Sequence, residues 1–289
     1  MRSRVAKRDD TLNAVQTALG TFASSSLANS TKGLLNALGY DSDKTFELNP
    51  GTYNGFYEDF ASNTDGFNVD NAKADEWTSA DIIFQVADED LSQGQNSMFS
   101  ARSLQRDRYN SFLFMAIGLQ GERYTRTDLA KITREVNKCL PMPVIILFRH
   151  GDTLTLAVIQ RRQNLKASDQ DVLAKVTLIK DINPGHTHRA HLEILTDLSL
   201  DSLADREKHR ISNFETLFTV WQKVLDTTEL NKRFYRELSN WYFWALQHAD
   251  FPKLPDGSPN RNEVALIRLI TRLIFVWFLK LMSCRYSEV

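Results

Sequence analysis

The chain has 289 residues, 42% apolar and 25% charged, enough to bury one large core or two ordinary ones. Its 35 basic and 36 acidic side chains nearly cancel, so no global positive field marks a nucleic-acid binder and any such contact must be local. Cys139 and Cys284 are the only cysteines, which excludes a disulfide framework and a cysteine zinc cluster. The first residues, MRSRVAKRDD, are charged and no apolar stretch follows, so no secretory signal is expected and the cytoplasm is the expected compartment.

In chain order, TLNAVQTALGTFA and LANSTKGLLNALGY carry apolar residues at helical spacing, with Leu34, Leu35 and Leu38 on one face and Gly39 placed to end the helix. Residues 41–78 are rich in Asp, Asn, Gly and Thr and predict loop, with a short helix over Tyr53–Phe60. SADIIFQVA and NSFLFMAIGLQG predict two strands. TRTDLAKITREVNKCL predicts an amphipathic helix capped by Thr125 or Thr127, with Leu129, Ile132, Val136 and Leu140 on one side and Pro141 and Pro143 ending it. VIILFRHGDTLTLAVIQRR reads as a hairpin turning at His150, Gly151 and Asp152; AKVTLIKDI reads as a further strand. RAHLEILTDLSL reads as an edge strand or a lead-out. An apolar strand such as VIILF following a helix indicates a βα unit with a buried sheet.

Beyond Ser202 every segment has helical periodicity. Ser212 with Glu215 three residues on has the form of a capping box. Phe234, Leu238, Trp241 and Ala245 follow at intervals that predict a buried stripe, leaving Lys232, Arg233 and Arg236 on a solvated edge that phosphate would suit. A last helix is expected from about Asn262. Its longest apolar run, Leu273 to Leu279, falls far short of the roughly 20 residues a membrane span needs. With Arg268 and Arg272 on one face, it predicts a largely buried helix with a basic stripe and no membrane contact. The expected fold is therefore an α/β (α+β) domain of about five strands over residues 1–200, then an all-helical domain over residues 201–289.

The pair LNKRFYRELSNWYFWAL and NEVALIRLITRLIFVWFLK resembles the region preceding the methyltransferase domain in large type IIG-like restriction–modification polypeptides. YTRTDLAKITREVNK, PMPVIILFRHGDTLTLAVIQRR and KVTLIKDI resemble the N-terminal α/β part of the same proteins. The resemblance runs from about Leu34 to Lys280 and implies a nuclease-like domain with a helical connector. The chain departs from that family where methylation chemistry would lie. No Pro-Pro pair is present to make the Asn-Pro-Pro-aromatic motif that holds a flipped adenine, and no GxGxxG is present for S-adenosylmethionine. The expectation is a truncated or split member without methyltransferase activity.

Nucleases of the PD-(D/E)xK type place an Asp on one strand and Glu-x-Lys on the next, so that the carboxylates share a Mg2+ ion. Asp81 stands at the head of DIIF, and Glu58 upstream is a second candidate carboxylate. The Glu and Lys positions fall on Gly118 and Gln120, which supply neither ligand nor cation. GHTHRAH holds His186, His188 and His191 without an evident fourth zinc ligand and reads as a polar loop, and His150 reads as a turn residue. Arg123 and Arg126 flank the helix start at YTRT, and Arg161, Arg162 and Lys166 cluster in IQRRQNLK; these are the candidate DNA-backbone contacts. The leading expectation is a restriction–modification module that docks on DNA, a methyltransferase polypeptide or another subunit. The alternatives are a stand-alone Mg2+-dependent endonuclease and a structural interaction protein of a phage-defence system.

Overall fold

The computed structural model describes residues 2–91, 104–106, 110–163, 171–208, 211–252 and 260–286. It divides into two compact units, Met1–Leu225 and Asp226–Val289.

The first unit is built on a five-stranded sheet of order β1-β2-β3-β4-β5. The strands are β1 Trp77–Ala87, β2 Ser111–Leu119, β3 Val144–His150, β4 Thr153–Gln163 and β5 Asp171–Ile182. All neighbours are antiparallel except β2 and β3, which are parallel. Parallel neighbours need a crossover, and here it is the helix Arg126–Lys138, called α6 below, after α1 (Arg2–Gly20), α2 (Leu27–Ala37), α3 (Tyr53–Phe56), α4 (Val69–Ala72) and α5 (Asp88–Leu91). Every residue of β2 is buried, as a central strand covered on both faces requires.

Helix α6 lies on one face, over β3, β4 and β5, with Leu129, Ile132 and Val136 fully buried. The opposite face carries α1 and α2 with α7 (Arg189–Asp197), α8 (Leu200–Glu207) and α9 (Phe214–Val224). Leu19, Leu34, Leu195, Leu217 and Trp221 pack there on Phe112, Phe114 and Leu147. The Tyr40 hydroxyl joins these helices: it accepts from Trp221 Nε1 at 2.8 Å and donates to the Leu198 carbonyl at 2.6 Å. Beside β1, the Ala80 and Gln85 amides donate to the carbonyls of Gly51 and Lys44. Lys44 is enclosed, its ammonium held 2.7 Å from both carboxylate oxygens of Asp90.

Three sequence expectations need correction. Residues 189–197 are helical rather than an edge strand, because Leu192, Leu195 and Leu198 at helical spacing all face the core. Asn213, not Ser212, caps α9, accepting from the Thr216 amide at 2.9 Å. Helices α8 and α9 share the sheet's core, and the first unit extends through Leu225.

The second unit holds α10 (Thr227–His248) and α11 (Arg261–Tyr286). Here the expected burial fails. Phe234 is 50% exposed and Trp241 40%, and Leu273 to Leu279 are all exposed. Among the described residues of the two helices, only Ala245 and Leu266 are buried. No helix among the described residues is long and apolar enough to cross a membrane.

Candidate nucleic-acid interface

The junction of β2 and α6 is held by a dense polar network. Thr125 caps α6: its hydroxyl accepts from the Asp128 amide at 3.1 Å while the Asp128 carboxylate accepts from the Thr125 amide at 3.1 Å. Burial alone would push the Asp128 carboxyl up, but the Thr125 hydroxyl and amide outweigh it and hold the group below its usual range. The Tyr124 hydroxyl accepts from the Gly121 amide at 3.0 Å, and its ring meets His150 edge-on at 5.5 Å between centroids. Burial, then the neighbouring Glu76 carboxylate, push the Tyr124 phenol up to about 12. Glu76 also pairs with Lys73 at 3.1 Å. His150 is itself buried, with Nδ1 3.1 Å from the Glu122 carbonyl and Nε2 3.2 Å from the Thr155 hydroxyl, and burial lowers its pKa. It fixes the β3–β4 turn, where Gly151 takes φ +51°.

Arg123 and Arg126 stand exposed on this rigid junction. Arg161 and Arg162 do not join them. The β3–β4 pairing runs only from His150–Thr153 to Ile146–Ala157, so the two arginines lie past the start of β3, at the opposite end of the sheet, paired with β5 alone. Lys166 lies outside the described residues.

Helix α6 spans the distance between the two clusters. Its apolar stripe faces the sheet; its outward side presents exposed Arg126, Lys131 and Lys138 with half-exposed Arg134. Lys138 is tied to Glu135 at 2.8 Å, but Arg126, Lys131 and Arg134 have no carboxylate within salt-bridge distance among the described residues. At 1.5 Å per residue, 13 residues make a cationic ridge about 20 Å long. Lys131 and Arg134 were not singled out from the sequence, though a helical wheel places both opposite Leu129, Ile132 and Val136. The charge boundary is sharp: residues 41–76 contain nine acidic and two basic side chains, and the α4 part of that segment packs against one flank of α6. A polyanion is favoured on the outer ridge and repelled by the acidic flank.

The nuclease residues are placed differently. Asp81 is half-buried on β1 and stands opposite Ala116, while Gly118 stands opposite Ser79. A Cβ at position 118 would meet Thr78 Oγ1 at 2.6 Å and Ser79 Oγ at 2.8 Å, so that position is closed to a larger side chain as β1 now sits. Burial raises the Asp81 pKa, and no hydrogen bond to its carboxylate forms among the described residues. Glu58 is exposed on the π-helical turn Tyr57–Ala61 that follows α3. Among the described residues no three His, Cys, Asp or Glu side chains converge as metal ligands would. A Mg2+ ion takes a near-octahedral oxygen shell, and one carboxylate facing an alanine and a walled glycine does not fit it. His188 stands at the N-cap position of α7 without a side-chain capping bond, and its ring lies 6.1 Å from that of His191, with no further zinc ligands converging among the described residues.

No protein-family model matches the chain, and neither a curated protein nor a solved structure does.

Proposed function

We propose that this chain is a DNA-docking module of a restriction–modification system, with no methyl-transfer machinery of its own. The observation that carries the reading is the outward ridge of α6, where Arg126, Lys131 and Arg134 have no carboxylate within salt-bridge distance among the described residues, on a helix that follows the fully buried strand β2. Cations spaced along a rigid helix suit the phosphate backbone and carry no base selectivity. The resemblance of the strand and helix segments to the N-terminal part of type IIG-like polypeptides supports the restriction–modification setting. The endonuclease alternative has less support, since among the described residues no further metal-ligating side chains converge with Asp81, which stands opposite Ala116.

Fluorescence anisotropy with short duplexes of unrelated sequence tests the proposal. Binding should be similar across sequences and weaken in an Arg126→Ala/Lys131→Ala/Arg134→Ala variant. Equal binding by wild type and variant would reject the ridge as the DNA contact.

A further inference from the structure

We infer that the second unit is a dimerisation element, in which α10 and α11 of two copies close into one four-helix bundle. The inference stands apart from the DNA-docking proposal. The seven residues Leu273–Leu279 make almost two helical turns without a polar side chain, so this part of α11 is apolar in every direction. A helix apolar all round needs neighbours on several sides, and a single covering surface would not satisfy it. Yet Phe275, Val276, Trp277 and Phe278 are 52–63% exposed, and Phe243 and Trp244 on α10 are 61% and 55% exposed.

The area decides what covers them. A large aromatic side chain offers roughly 150–250 Å², so the five aromatics among these six, at a little over half exposure, present about 600 Å². Phe234, Tyr235 and Leu273, 50–64% exposed, extend the surface. Summed over both helices, this exposed apolar surface reaches the approximately 800 Å² per partner of a stable interface. Both helices of the pair carry the exposed side chains, so one two-fold axis covers α10 and α11 together, as an isologous interface does. Charge permits it: residues 226–289 hold nine basic and seven acidic side chains, so like copies meet without strong repulsion. The pair also has a firm connection of its own, since the Asn262 side chain accepts from the Phe251 amide at 3.0 Å and Arg261 pairs with Asp250.

Sedimentation equilibrium on the full chain, from nanomolar to high micromolar concentration, tests this directly. A closed dimer of twice the chain mass is expected. Trp277→Glu should weaken it by about 100-fold, because a carboxylate then enters a desolvated contact. Phe243→Ser, which puts no charge on the surface, should weaken it by about 10-fold while far-UV helicity is retained; this variant decides the matter if Trp277→Glu loses helicity. A monomer at every concentration would overturn the inference. So would a dimer indifferent to both substitutions, an open-ended aggregate, or a monomer that instead binds anionic phospholipid vesicles.

Discussion

Replacing Lys44 by Met should destabilise the first unit by about 3–5 kcal/mol, the range for breaking one side of a buried ion pair. The lysine side chain is 1% exposed, and its ammonium lies 2.7 Å from each Asp90 oxygen and 3.1 Å from Glu89. Asp90 is 11% exposed and also accepts from the Ala87 amide at 2.8 Å, so it cannot swing to water without abandoning that bond. Glu89, 37% exposed, is screened by solvent and adds less. Met keeps the volume of the stem, so the loss isolates the enclosed Asp90 charge. For a unit this large each kcal/mol shifts the melting temperature by about 2–4 °C, which gives a fall of about 6–20 °C. Urea and thermal unfolding followed by circular dichroism would measure it. The double variant Lys44→Met/Asp90→Asn should recover part of the loss, since a neutral amide still accepts from Ala87. A single-variant loss below about 1 kcal/mol, typical of exposed pairs, would refute the reasoning.

Asp81→Asn should raise the stability of the first unit at neutral pH. The folded state raises the Asp81 pKa through burial, so ionisation above the unfolded carboxylate range penalises folding, and the amide removes that penalty; an unchanged or lower melting temperature would contradict this. Burial lowers the pKa of His150 and His191, so the unfolded chain binds more protons below about pH 6.5. Stability should therefore fall as pH drops from about 7 to about 5, and less steeply in His150→Gln, as pH-dependent melting would show. Thr125→Ala removes the cap of α6 and should cost about 1 kcal/mol in urea unfolding.

The sheet was legible because its signals are local. β2 and β3 are continuous apolar runs, and His150-Gly151-Asp152 is a turn in any context. The α7 segment misled because Leu192, Ile194 and Thr196 alternate as in a strand while Leu192, Leu195 and Leu198 also recur at helical spacing; only packing against α1 decides between the two. Periodicity in α10 marks an apolar face and is silent about what covers it, which is why Phe234 and Trp241 were expected in a core. The wall around Gly118 depends on the β1–β2 register, which sequence spacing does not set. The ridge on α6 was half legible: Arg126 was visible, and Lys131 and Arg134 follow once the apolar stripe is taken to face the sheet.

The most direct test of the docking proposal is the salt dependence of DNA binding, compared between the wild type and Arg126→Ala/Lys131→Ala/Arg134→Ala. Each phosphate neutralised contributes about 0.9 to the slope of log K against log salt, so three contacts contribute about 2.7. The wild type should then lose at least about 40-fold in affinity between about 50 and 200 mM salt, and the variant's slope should be shallower by about 2.7. Identical slopes for the two proteins would mean that α6 does not meet the phosphates, and a wild type with no salt-dependent binding would contradict DNA docking altogether.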